Sequence, residues 1–123
     1  MIVKLQHPVE AYPDLTFGQG YVVIGIEADD YRLLNDRGRP YLYPHELFEV
    51  VDNQRPSEWI TEIGEEGEVY AYPPILNEVG FFEDFFDDVE GAVSAFWHVV
   101  NHWLTFSKGA GIKHDQRVGA SIT

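Results

Sequence analysis

A chain of 123 residues, 45% hydrophobic and 15% aromatic, is sized for one domain with a sizeable core and is too apolar for an acidic disordered chain. Its 21 acidic residues against 8 basic ones leave a formal charge of −13, which belongs on the surface of a folded body and disfavours contact with nucleic-acid phosphates or an anionic membrane. The absence of cysteine excludes a disulfide framework, a thiolate zinc site, an iron–sulfur cluster and a cysteine nucleophile. No apolar run has the length of a signal-peptide core or of a ~18-residue membrane span, so a cytoplasmic soluble protein is the expectation.

Short strands separated by turn chemistry fill residues 15–51. Tyr21-Val22-Val23-Ile24-Gly25-Ile26-Glu27-Ala28 is rich in β-branched residues; Asp29-Asp30 breaks it, and Tyr31-Arg32-Leu33-Leu34 resumes as the second arm of a hairpin. Asn35-Asp36-Arg37-Gly38 supplies Asx side chains for a turn and a glycine for positive φ, and Pro40-Tyr41-Leu42-Tyr43 follows as a third strand. Pro44-His45-Glu46-Leu47 suits one helical turn, after which Phe48-Glu49-Val50-Val51 alternates as a half-buried strand does. Four or five strands at this spacing predict a small barrel, since closure removes exposed edges.

The same residues resemble a known family. The run Leu15-Thr16-Phe17-Gly18-Gln19-Gly20-Tyr21-Val22-Val23, the acidic turn, Tyr31 to Gly38, Tyr41-Leu42-Tyr43-Pro44 and Leu47 to Asp52 are similar to small bacterial and phage SH3-like barrels, in which a one-turn helix precedes the last strand. The resemblance spans residues 15–52, under a third of the chain, and implies a fold rather than an activity. Phe17 stands where proline is common. The "A-L-Y-D-Y" and paired-tryptophan motifs of the peptide-binding SH3 domains are absent, so their proline-rich ligand is not carried over.

Trp59-Ile60-Thr61-Glu62-Ile63 and Val69-Tyr70-Ala71-Tyr72 flank Gly64-Glu65-Glu66-Gly67 and predict a further hairpin, stopped by Pro73-Pro74. After a break at Gly80, Val89, Ala92, Val93, Phe96, Val100, Trp103 and Leu104 recur at helical spacing. They predict one amphipathic helix, capped by Asp87 or Asp88, that covers an open side of the sheet. The expected class is therefore mainly β with one C-terminal helix (α+β), an SH3-like barrel of about five strands with an added hairpin. A single domain is expected over residues 1–106, its barrel at 15–52 and an acidic hairpin-plus-helix extension at 57–106, with residues 107–123 as a mobile tail.

Charge is the most uneven feature. No Lys or Arg lies between Arg55 and Lys108, while acids recur from Glu58 to Glu90, and Phe81-Phe82-Glu83-Asp84-Phe85-Phe86-Asp87-Asp88 alternates rings and carboxylates in pairs. Its rings either plug the end of the sheet or anchor a partner. In the second case Phe81, Phe82, Glu83, Asp84, Phe85, Asp87 and Asp88, with Glu65 and Glu66, form one negative face that meets a basic protein.

Other chemistry is poorly supported by the residues. His98 and His102 stand four apart on the expected helix but lack the zinc-protease glutamate and fall opposite the apolar stripe. His7, His45 and His114 have no helpful spacing to them, so no metal is expected. The calcium-loop, dinucleotide and phosphate-loop patterns fail, no serine lies in G-x-S-x-G, and paired acids among other acids are ordinarily solvated; no cofactor and no catalytic residue is expected. The expectation is a non-enzymatic, acidic protein-binding module, of which an immunity or antitoxin protein capping a basic toxin is one form. A DNA mimic occupying a DNA-binding protein is the alternative, and an enzyme using paired carboxylates comes last.

Overall fold

The computed structural model describes the backbone of residues 1–107 and the side chains of residues 1–102. Seven strands precede two helices: β1 (Ile2–Leu5), β2 (Tyr21–Glu27), β3 (Asp30–Leu34), β4 (Pro40–Pro44), a 3₁₀ turn (His45–Leu47), β5 (Phe48–Asp52), β6 (Ile60–Ile63), β7 (Val69–Tyr72), α1 (Phe81–Phe86) and α2 (Glu90–Ser107). Ser107, expected to open a mobile tail, is the last residue of α2; the rest of that tail lies outside the described residues.

The strands form a mainly β, antiparallel sheet in the order β4-β3-β2-β1-β5, with β7 also paired to β2 and β6 to β7. β2 organises it. The first residues of β2 pair with β1 (Val3↔Tyr21), its last pair with β7 (Ile26↔Ala71), and its other edge runs along β3. Tyr21 to Ile26 are buried without alternation, so both faces of this strand are covered, as its run of apolar residues requires.

The expected closed barrel is not formed. β4 and β5, the two ends of the five-strand path, do not pair with each other, and the sheet stays open. β4 begins and ends with proline, which has no N–H to donate, and the 3₁₀ turn carries the chain from β4 to β5 without bringing the two strands side by side. As an end strand β5 is also barer than its alternation predicts: Phe48 is buried, whereas Val50 and Val51 are 44% and 54% exposed.

Local turn chemistry follows residue type between β3 and β4 but not between β2 and β3. β2 and β3 close as Glu27↔Asp30 over Ala28 and Asp29, with Ala28 in the left-handed region (φ 55°). Between β3 and β4, Asn35 Oδ1 accepts from the backbone N–H of Arg37 (2.9 Å) and Arg39 (3.0 Å), and Gly38 takes φ 73°. β1 was not predicted: its four residues pair with β2 on one side and β5 on the other, partners that only the folded chain supplies.

A second, short helix also joins the predicted one. α1 starts after Gly80 (φ 79°), buries Phe81 and Phe85 one turn apart, and packs on α2 through Phe85 and Phe96, whose ring centroids lie 4.6 Å apart. Asp87 ends α1 and Asp88 takes φ 60°, so neither caps α2 as expected; the Val89 carbonyl instead accepts the Val93 N–H. Phe96 and Val100 of α2 join Phe85 and the β2 side chains in one buried cluster.

Candidate functional site

At the centre of the sheet an arginine is buried. Arg32, on β3, is 7% exposed, and each of its guanidinium nitrogens is engaged: Nε donates to the Tyr72 hydroxyl (2.6 Å), Nη1 to the Pro40 carbonyl (2.6 Å) and Nη2 to Glu27 Oε2 (3.0 Å). The Tyr72 hydroxyl donates in turn to the same Glu27 oxygen at 2.6 Å. Burial pushes the Tyr72 phenol well above its ordinary pKa; the Arg32 charge opposes that rise and the Glu27 hydrogen bond adds to it. Tyr72 is therefore a neutral donor. Phe82 covers the guanidinium, with its ring centroid 3.8 Å from Arg32 Cζ, so the one cation at this place has its charge matched by Glu27 and its face covered by a ring.

This cluster forms the floor of a cleft of about 780 Å³. Its rim is acidic, and the acids come from separate segments: Glu62 from β6, Glu78 from the loop of residues 73–80, Glu83 from α1 and Asp87 from the C-cap of α1. Asn77 Nδ2 donates to Glu62 Oε2 at 2.9 Å and ties the loop to the hairpin across the opening. With Arg32 neutralised by Glu27, four rim carboxylates are left to set the sign of the cleft. The arrangement is suited to receiving positive charge over an aromatic floor.

Helix geometry sorts the acidic aromatic run. Residues four apart share a face. Phe81 and Phe85 are buried, 7% and 1% exposed, and of the two Phe81 also borders the cleft. Phe82 and Phe86 line the cleft with Glu83 and Asp87, Phe86 being 37% exposed. Asp84 and Asp88 are exposed but do not line it. Glu65 and Glu66 sit in the turn between β6 and β7, also exposed and outside the cleft lining. Of the residues expected to form one negative face, Phe81, Phe82, Glu83 and Asp87 border the cleft. The lining residues Glu27, Arg32, Tyr70, Tyr72, Asn77, Glu62 and Glu78 were not singled out in the sequence; the available signal was Arg32, a charged residue inside the run Tyr31-Arg32-Leu33-Leu34.

His98 and His102 are exposed on α2, and among the described residues no group of three or more His, Asp or Glu is placed to hold a metal ion. No helix of the described residues is long and apolar enough to cross a membrane. Comparison with known proteins finds no matching family model, no matching curated protein and no matching solved structure.

Proposed function

We propose that this protein is a non-enzymatic binding module that receives a basic protein partner on the acid-rimmed cleft beside α1, as an immunity or antitoxin protein capping a basic toxin does. The observation that carries this reading is the convergence of Glu62, Glu78, Glu83 and Asp87 on one opening whose only lining cation among the described residues, Arg32, is already paired with Glu27. Like charges brought together lose stability on their own and regain it against a cationic partner, and the overall charge of −13 speeds the encounter. Phe82 and Phe86 supply the apolar contact that a charged rim surrounds in a protein interface. On the fold, the path β5-β1-β2-β3-β4 with a 3₁₀ turn before β5 supports reading the sheet as an opened SH3-like arrangement.

The test is copurification from the native host of the wild type and of two double variants with the same charge change. Glu62→Lys/Glu83→Lys alters the cleft, and Glu65→Lys/Glu66→Lys alters the hairpin tip. A basic partner retained by the tip variant, lost by the cleft variant and released steeply by salt is the expected result. Equal loss in both variants, or no basic partner at low salt, overturns the reading. A partner that is itself a DNA-binding protein, displaced by duplex DNA, assigns the module to DNA mimicry instead.

A further inference from the structure

A second recess lies on the other side of Phe86, along the free edge of β4. It has a volume of about 550 Å³, and Tyr12, Tyr41, Tyr43 and Phe86 form its walls, with Asp14 among them. The rings come from three separate places in the chain and are braced in pairs: Tyr12 against Tyr43 edge-on, with centroids 5.4 Å apart, and Tyr41 against Phe86 at 5.8 Å. Tyr41 and Phe86 are open to solvent, 43% and 37% exposed, whereas Tyr43 closes the back at 2%.

Asp14 is held rigidly there. Its Oδ2 accepts from the Tyr43 hydroxyl (2.8 Å) and from Nδ2 of the fully buried Asn35 (3.1 Å); its Oδ1 is buried without a hydrogen-bond partner. Among the described residues the ion pair joins Arg32 to Glu27, and no ion pair engages Asp14. Arg32 also borders the recess, but its nitrogens are committed to Tyr72, Pro40 and Glu27. Arg39 does not line it; at 5.3 Å from the Phe86 centroid it opposes a second cation and also shows that this ring accepts a guanidinium.

We infer that this recess binds a single weakly hydrated organic cation, a guanidinium or an alkylated ammonium. Ring faces attract cations through their quadrupole, and a lone carboxylate behind them selects one positive charge. A bare metal ion is unsuited, because one carboxylate among tyrosines offers too few ligands for so large a space. A primary ammonium is disfavoured, because it holds its water strongly and the aromatic walls offer few acceptors in exchange, whereas guanidinium and alkylated ammonium shed water easily. The inference is independent of the basic-partner reading, since none of the rim acids of the cleft lines this recess.

The experiment titrates the full chain with ethylguanidinium, tetramethylammonium or n-butylammonium chloride at constant ionic strength, reading tyrosine and phenylalanine ring resonances by NMR. Saturable shifts centred on Tyr41 and Phe86 are expected for at least one of the first two, with n-butylammonium weaker by about 5-fold or more. Preference for ethylguanidinium identifies an arginine side chain as the source, and preference for tetramethylammonium an alkylated ammonium. Tyr41→Ala, at an exposed ring, and Asp14→Asn, which still accepts from Tyr43, should each weaken binding by about 5-fold or more. Glu62→Lys/Glu83→Lys should leave it within about 2-fold at physiological salt. Non-saturating shifts alike for all three cations and sodium, or affinity unchanged in both Tyr41→Ala and Asp14→Asn, overturn the assignment whatever the cleft binds.

Discussion

An alanine at Gly25 would put its Cβ inside the Tyr72 ring, overlapping Cε1, Cδ1 and Cζ. Gly25 lies mid-strand in β2, opposite Arg32 on β3, and its missing side chain is what lets the Tyr72 ring lie flat enough to reach both Arg32 and Glu27. The strand backbone is paired on its β3 side and cannot retreat, so the ring must swing out. That breaks two hydrogen bonds of 2.6 Å to charged groups, worth about 1.5–3 kcal/mol each. It also disturbs the Tyr72–Phe82 packing, now 5.5 Å between centroids. Against this stands a gain of under about 1 kcal/mol for replacing glycine in a strand. Partial relaxation recovers some of the loss, and Gly25→Ala should therefore destabilise by about 3–5 kcal/mol. Urea unfolding followed by circular dichroism measures it, with an unchanged slope showing that the unfolded state is the same. Tyr72→Ala removes the obstacle. In that background Gly25→Ala should change stability by less than about 1 kcal/mol, a coupling of about 3 kcal/mol in the double-mutant cycle. Additive effects, or a single-variant cost below about 1 kcal/mol, would refute the close approach of Tyr72 to β2 and with it the Arg32 cluster.

Arg32→Ala strands the Glu27 carboxylate, the Tyr72 hydroxyl and the Pro40 carbonyl, and should cost about 3–5 kcal/mol in the same assay, with Arg32→Met costing less because it keeps the volume under Phe82. Asn35→Ala removes the acceptor for two turn N–H groups and the donor to Asp14 and Tyr43; a loss of about 3 kcal/mol is expected, and thermal unfolding indistinguishable from wild type would show that the turn does not depend on that side chain. Burial first, and then the hydrogen bond to Asp36, push the Tyr21 phenol to about 12; burial drives Tyr43 and Tyr72 upward as well. Since these phenols keep their protons in the folded state beyond the unfolded value of about 10, their contribution is complete below that pH and is lost as pH rises through the folded value. An absorbance titration should show them ionising together with alkaline unfolding, and ionisation of every tyrosine near pH 10 in a still-folded protein would contradict their burial.

How much of this was legible in the chain depended on distance along it. The β2–β3 and β3–β4 hairpins, the Asn35–Gly38 turn, the turn after Pro44, the β6–β7 hairpin and the apolar stripe of α2 all follow from neighbours within a few residues, because φ preferences, Asx hydrogen bonds and side-chain periodicity act over that range. α1 was within reach of the same reasoning. Taking the 81–88 run at a spacing of four separates the buried rings Phe81 and Phe85 from the exposed acids Glu83 and Asp87.

What residue types alone left undecided was every feature made by distant partners. β1 is a strand because residues 21–22 and 48–52 flank it, and the sheet remains open because proline-bounded β4 and the end strand β5 never meet. The Arg32–Tyr72–Glu27 cluster joins positions 40 and 45 apart in the chain, and the cleft rim and the tyrosine recess are assembled over similar spans. Local chemistry determined where the chain turns and which stretches extend. Burial decided the rest, since only packing against a shared core selects which strands lie side by side and which charges end up facing the same space.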